Sequence, residues 1–168
     1  MDLTVRTLCE EHTSLLNQFQ CTEASMSMYL KKYALDYTNT GEGNTQLLIK
    51  DGNEVVGYFT LKCTSLPIFE AEMSEEPKIY PAIEIARFAI HSNFTNKGIG
   101  SILMSYVLEL IAILKKEVLG VRFTILFAIN KEDVLSFYEK MGFKRIDDAL
   151  DVTYTVENEG CIPMYLRI

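Results

Sequence analysis

Gly98-Ile99-Gly100 opens an apolar helix just after a strand-like run, Ile83 to His91, and a short polar turn. Those residue types in that order are suited to holding phosphate. The first N–H groups of a helix have no partner inside it, and the helix dipole places partial positive charge there. Glycine removes the Cβ that would keep an anion away from that backbone. The inferred ligand carries a diphosphate and is bound by main chain around Asn96, Lys97, Gly98, Ile99, Gly100 and Ser101. Two other glycine turns do not fit. A nucleoside-triphosphate loop needs Lys-Ser or Lys-Thr after its glycines, and neither follows here. A dinucleotide turn needs a third glycine close behind, whereas the next is Gly120.

A second informative segment follows another strand-like run, Phe123 to Ile129. It begins at Asn130 and ends Phe137-Tyr138-Glu139-Lys140-Met141-Gly142-Phe143. Together with Thr95-Asn96-Lys97-Gly98-Ile99-Gly100 it resembles the GNAT superfamily of acyl-CoA-dependent N-acetyltransferases. In that family the turn reads Q/R-x-x-G-x-G/A and holds the coenzyme A pyrophosphate. The later segment reads roughly N-x-x-A-x-x-F-Y-x-x-x-G-F. The match spans residues 83–143, over a third of the chain. Thr95 departs from the pattern, standing where Gln or Arg is usual, so the grip on phosphate would fall to Lys97 and the main chain.

The resemblance implies roles for further residues. Phe88, Ala89 and Ile90 end a central strand that splays from its neighbour, and their main chain would bond the pantetheine arm. Asn130 would orient the coenzyme or bond the start of the following helix. The Tyr138 hydroxyl would protonate the departing CoA thiolate as the tetrahedral intermediate collapses. A phenol of pKa about 10 can supply that proton at neutral pH. The attacking amine must first lose a proton, to a carboxylate or to ordered water. Glu84 stands at the offset from Ile90 where histone acetyltransferases of the superfamily carry their base. Strand parity puts Glu84, Ala86, Phe88 and Ile90 on one face, where a lone charge is costly unless it is used or paired. Arg87 falls on the other face, as a structural partner elsewhere in the sheet. His12 and His91 read as capping or solvent-facing residues.

These residues must be positioned by a β-α-α-β-β-β-α-β-α-β-β chain. The spacing predicts strands at Leu3–Leu8, Gln46–Lys50, Glu54–Lys62, Ile83–His91, Arg122–Ile129, Phe143–Asp147 and Pro163–Ile168. Asp51-Gly52-Asn53 reads as a hairpin turn and Thr40–Asn44 as a turn. Helices are expected at Ser14–Phe19, Glu23–Tyr37, Lys97–Lys116 and Lys131–Met141, the last with Asn130 as N-cap and Gly142 beyond its end. Ser65–Pro81 reads as a loop bearing Glu70, Glu72, Glu75 and Glu76. Such a run is a solvated face, or else a rim that attracts a cationic amine. The tyrosine-bearing face from Met26 to Tyr37 reads as core, with a cleft wall as the alternative. The expected fold is α/β (α+β): a mixed, mostly antiparallel GNAT-like sheet of six to seven strands, about four flanking helices and splayed central strands.

A chain of 168 residues suits one well-cored domain, taken as a single GNAT acetyltransferase domain over residues 1–168. The apolar helix from Ile99 is too short and too polar to span a bilayer, and the N-terminus lacks a signal peptide's regions. Cys9, Cys21, Cys63 and Cys161 show no metal-ligand spacing and read as reduced thiols of a cytoplasmic protein. No metal is expected. The formal net charge of −7 disfavours general nucleic-acid binding and suits a cationic partner.

Three functions remain in competition. The first transfers acetyl from acetyl-CoA to a primary amine. The second rests on the N-terminal Phe19-Gln20-Cys21 opening, Arg87-Phe88-Ala89-Ile90, the tyrosine and the terminal Met164-Tyr165-Leu166-Arg167-Ile168. These are similar to acetyltransferase toxins that act on aminoacyl-tRNA and are silenced by an antitoxin protein. The third is an acyl-CoA-binding module without turnover, against which Tyr138 argues. A monomer or a homodimer fits any of them.

Overall fold

The structure is a computed structural model and describes residues 2–68, 76–146 and 160–168. Among the described residues seven strands and five α-helices follow one another. They are β1 (Leu3–Thr7), α1 (Thr13–Leu16), α2 (Ala24–Lys32), α3 (Ala34–Thr40), β2 (Asn44–Lys50), β3 (Glu54–Ile68) and β4 (Lys78–Ile90). Then come α4 (Ile99–Glu117), β5 (Phe123–Ile129), α5 (Glu132–Lys140), β6 (Lys144–Arg145) and β7 (Cys161–Arg167). The strands form one sheet in the order β1-β2-β3-β4-β5-β7-β6. The pairs β1/β2, β2/β3, β5/β7 and β6/β7 are antiparallel. The β4/β5 pair is parallel, and its ladder runs from Ala82↔Phe123 to Glu84↔Ile125. Both strands continue beyond that last pair.

Backbone contacts group the chain into two interleaved units, residues 1–62 with 85–107, and residues 63–84 with 108–168. In the first, Leu8, Phe19, Leu30, Leu47 and Tyr58 are each 2% exposed or less and share one core with Tyr29 and Ala89. The β2–β3 hairpin turns on Asp51 (φ 48°) and Gly52 (φ 76°), the consecutive left-handed residues that tight hairpins require. In the second unit, Leu66, Tyr80, Ala82, Phe123 and Ile125 make a separate core. Tyr80 and Phe123 meet edge to face at 5.8 Å, the arrangement that aromatic quadrupoles favour.

The elements differ from the sequence reading at three places. The single helix expected over Glu23–Tyr37 is two, because Tyr33 leaves helical geometry at φ −122° and ψ −28°. Tyr29, Leu30 and Ala34 are buried on both sides of the break, so the apolar period runs through it unchanged. The expected loop Ser65–Pro81 is shorter, since β3 reaches Ile68 and β4 begins at Lys78. Burial of Leu66 and Tyr80 outweighs the turn-like prolines there. Of its acidic residues only Glu76 is described; Glu70, Glu72 and Glu75 lie outside the described residues, as does Asp147 of the expected closing strand. The cap of α5 is Lys131 instead of Asn130, and the cap is made without a side-chain hydrogen bond to the helix start. No helix among the described residues is long and apolar enough to cross a membrane.

Candidate active site

The path from β4 into α4 is set by a chain of local bonds. His91 N–H donates to the Val56 carbonyl at 3.0 Å and Ser92 N–H to the Gln20 carbonyl at 2.8 Å. A short turn, Ser92–Phe94, follows, and the Thr95 hydroxyl folds back to the Ser92 carbonyl at 2.9 Å. Thr95 is therefore spent inside the turn and does not stand in for the long side chain usual in the family. Asn96 (φ 59°) and Gly98 (φ 77°) both take the left-handed conformation. Asparagine tolerates it by local bonding and glycine at no steric cost. A Cβ on Gly98 would meet nothing within 4 Å, so the turn requires glycine for its dihedral.

The Gly98 carbonyl accepts from Ile102 N–H at 3.1 Å, which is the first bond of α4. The amides of Ile99, Gly100 and Ser101 consequently fall in the first turn, where no intrahelical acceptor exists. Ile99, Leu103, Met104 and Val107 are buried and anchor the helix start, while Ser101 stays exposed. Lys97 is exposed, with its ammonium over the Phe94 ring at 5.5 Å; Lys50 lies over the same ring at 5.4 Å. The first unit thus brings Asn96, Lys97, Gly98, Ile99, Gly100 and Ser101 into one basic, amide-lined turn.

Phe88, Ala89 and Ile90 close β4 beyond the last rung of the parallel ladder at Glu84. Ala89 belongs to the core of the first unit, and Arg87, two residues earlier, lies 4.9 Å over the Tyr29 ring. Arg87 thus shares a face of β4 with Ala89, and its ring partner stands on α2 instead of elsewhere in the sheet. Sequence reasoning missed Gly57 on β3. A Cβ there would stand 3.2 Å from the Ala89 carbonyl oxygen and 2.9 Å from Ile90 Cδ1. It also missed Phe94, whose ring gathers Lys50 from the end of β2 together with the nearby His91 and Lys97.

In the second unit, Tyr138 lies on the inward face of α5 with Leu135, and Tyr138 is 9% exposed. Its ring meets Phe137 at 5.1 Å and Phe143 at 5.9 Å, both edge-on. Gly142 (φ 95°) turns the chain so that Phe143 N–H returns to the Tyr138 carbonyl at 3.1 Å. The Phe-Tyr-x-x-x-Gly-Phe frame is in this way a packing device that fixes the tyrosine ring. Burial pushes the Tyr138 phenol well above its ordinary pKa, because the phenolate would lose its hydration. Glu84 is 7% exposed and is not left without a partner. Asn130 is exposed, and its N–H donates to the Gly160 carbonyl at 3.3 Å. Among the described residues, no group of three or more His, Cys, Asp or Glu side chains converges as a metal site requires.

The chain matches the acetyltransferase (GNAT) domain family over residues 42–145. Solved structures of similar fold include the toxin AtaT, as a tyrosine-to-phenylalanine mutant bound to the C-terminus of the antitoxin AtaR and acetyl-CoA. That match has 20% identity and a TM-score of 0.74, and covers 99% of this chain and 94% of that one. AtaT complexed with acetyl-methionyl-tRNAfMet matches at 18% identity and a TM-score of 0.76, over 99% and 95% of the two chains. A tyrosine-to-phenylalanine mutant of KacT matches at 16% identity and a TM-score of 0.77, also over 99% and 95%. The mixed, mostly antiparallel seven-stranded sheet is accordingly a GNAT-like fold. With the family match spanning more than half of its residues, the chain belongs to the GNAT family of acyl-CoA-dependent N-acetyltransferases.

Proposed function

We propose that residues 1–168 form one acetyltransferase domain that moves acetyl from acetyl-CoA to a primary amine by direct attack. The observation that carries this reading is the turn at Asn96–Ser101, with two left-handed residues, unused first-turn amides and a lysine at its edge. That arrangement is suited to a pyrophosphate. The single-domain reading is supported by the interleaving of the two units, since β3, β4 and α4 each run from one into the other.

In this mechanism the amides of Ile99, Gly100 and Ser101, with Asn96 and Lys97, hold the coenzyme's diphosphate. The main chain of Phe88, Ala89 and Ile90 holds the pantetheine arm, and Asn130 helps to orient the coenzyme. Glu84, directly or through water, accepts a proton from the attacking ammonium. The amine nitrogen then bonds the thioester carbon, and the resulting tetrahedral intermediate collapses with loss of the C–S bond. Tyr138 gives its proton to the departing sulfur, and the excess proton left on the new amide nitrogen is released and restores the phenol through solvent. Its raised pKa keeps the phenol protonated throughout the neutral range, as an acid catalyst requires.

A second reading concerns the acceptor. The solved structures of similar fold include an enzyme complexed with acetyl-methionyl-tRNAfMet and others bound to an antitoxin. On that basis the acceptor would be the amino group of aminoacyl-tRNA, and a cognate antitoxin would silence the enzyme. The test is release of free CoA thiol with small amines, amine-bearing peptides and aminoacyl-tRNAs offered in turn. Turnover with aminoacyl-tRNA alone, with growth arrest of an expressing host relieved by Tyr138→Phe, supports the toxin reading. Turnover with small amines and no growth arrest removes it. Failure of the purified chain to bind acetyl-CoA at all would overturn both.

A further inference from the structure

We infer that His91 is a positioning residue for the phosphate turn, acting as a neutral imidazole clamp between the N-terminal segment and the start of the loop. The inference rests on the reading that this turn holds the coenzyme.

Both ring nitrogens are engaged, and their partners fix the tautomer. Nδ1 accepts from Asn93 N–H at 3.1 Å, a partner that can only donate. Nε2 lies 3.2 Å from the Gln18 carbonyl oxygen, a partner that can only accept. Nε2 therefore carries the hydrogen, and the ring is neutral when both bonds are made. The ring is edge-on to Phe19 at 5.6 Å and to Phe94 at 5.9 Å. Phe94 in turn lies beneath the ammonium groups of Lys97 and Lys50. One side chain thus caps the turn Ser92–Phe94, ties it to the segment before Phe19 and backs the ring that carries Lys97.

Histidine is an unusual cap, and a purely structural ring would serve as well with one nitrogen bonded. Here the Nδ1 bond aims the backbone that leads directly into the two left-handed residues Asn96 and Gly98. Beside the ring is a polar cavity of about 300 Å³, bounded in part by Gln18, Gln20, Glu54 and Asn93. A smaller side chain at 91 would open onto this polar space, where water can enter, and would not leave a dry void. Loss of ring volume is therefore separable from loss of the cap.

Two substitutions divide the two bonds. Asparagine places an acceptor oxygen near the Nδ1 position and keeps the cap, as Asx residues do at turns. Glutamine places an amide N–H near the Nε2 position and keeps the tie to Gln18 while losing the cap. His91→Ala loses both. Acetyl-CoA binding is measured by calorimetry on each folded variant, with steady-state kinetics on the accepted amine. Expected are a Kd and KM for acetyl-CoA raised about fivefold to tenfold by His91→Gln and His91→Ala, the size of one capping bond. Expected too are a Kd within about twofold of wild type for His91→Asn and a kcat within about twofold for all three. Equal binding by the asparagine and glutamine variants, or a loss confined to kcat, overturns the inference. If the alanine variant does not fold, the asparagine–glutamine comparison still decides. Wild-type protein that binds no acetyl-CoA would instead refute the function on which the inference rests.

Discussion

Gly57→Ala tests how tightly the end of β4 is built. An alanine methyl there would stand 2.9 Å from Ile90 Cδ1, 3.2 Å from Leu103 Cδ2 and 3.2 Å from the Ala89 carbonyl oxygen. Carbon–carbon contacts settle at about 3.5–4.0 Å, so three neighbours must move by several tenths of an ångström at once. Two of them are side-chain ends that can swing. The Ala89 oxygen is strand backbone, and it can retreat only if β4 shifts. Overpacking of this kind costs roughly 1–3 kcal/mol. Relief of glycine's conformational freedom returns roughly 0.5–1 kcal/mol. The net expectation is a loss of about 1–2 kcal/mol, or roughly 2–8 °C in melting temperature for a chain of this size. Because the proposed function puts the main chain of Ala89 and Ile90 on the pantetheine arm, the KM for acetyl-CoA should rise severalfold in the same variant.

Two other glycines serve as controls, read by thermal melting and acetyl-CoA titration. Gly120 has open space around its Cβ position, and Gly120→Ala should change neither property. Gly98 is equally open but holds φ 77°, so Gly98→Ala should cost about 1–2 kcal/mol from the backbone alone and weaken coenzyme binding. A Gly57→Ala protein that melts with wild type and binds acetyl-CoA normally would refute the steric argument for this strand.

Other expectations follow from burial and charge. Tyr138→Phe should bind acetyl-CoA normally yet turn over at least tenfold more slowly, and up to the ~10²–10⁴ that a positioned acid contributes; Glu84→Gln should slow the amine step most at neutral pH, and an unchanged pH–rate profile would remove its proposed role as base. The folded Tyr138 and Tyr58 phenols both lie above their unfolded value. Their contribution to stability is therefore complete below about pH 10 and lost above it, so urea midpoints should hold through pH 9 and fall beyond pH 10. Thr124 Oγ1 is buried with no hydrogen-bond partner among the described residues, whereas the buried Thr45 and Thr60 hydroxyls bond each other at 2.8 Å. Thr124→Val should accordingly be neutral or stabilising in urea melts, and Thr60→Val should cost about 1–3 kcal/mol.

The parts of the site that are local in sequence were legible before the structure. Gly98 announces the helix start because a left-handed turn demands a residue without bulk. Phe137-Tyr138 with Gly142-Phe143 was legible as a family frame, and the structure supplies its physical sense: both phenylalanines pack edge-on against the tyrosine ring. The left-handed hairpin at Asp51–Gly52 was legible from turn chemistry. What escaped was non-local. The demand for glycine at 57 comes from Ala89, Ile90 and Leu103, and no window of sequence holds all four. The break at Tyr33 escaped because the inward face continues through it. The ends of β3 and β4 escaped because turn-like prolines hide strands whose burial is decided by partners elsewhere.

The charge argument against a nucleic-acid acceptor has a narrower basis than the total of −7 implies. Glu70, Glu72, Glu75, Asp147, Asp148, Asp151, Glu157 and Glu159 fall in two stretches, 69–75 and 147–159, that contain no Lys or Arg. They account for eight of the 23 acidic residues, and the remainder of the chain sets 15 acids against 16 Lys and Arg. The acidity is thus local, and its effect on a charged acceptor depends on distance, since screening limits it to about 8–10 Å at physiological salt. Replacing all eight by Asn or Gln makes the acceptor's charge readable. With a cationic amine, the KM for the amine should rise at low salt and converge on wild type at high salt. With aminoacyl-tRNA, affinity should rise instead, most at low salt, because repulsion of phosphate has been removed. An unchanged acceptor KM at every salt concentration would show that the two stretches do not act on the acceptor, and the charge balance would then carry no information about it.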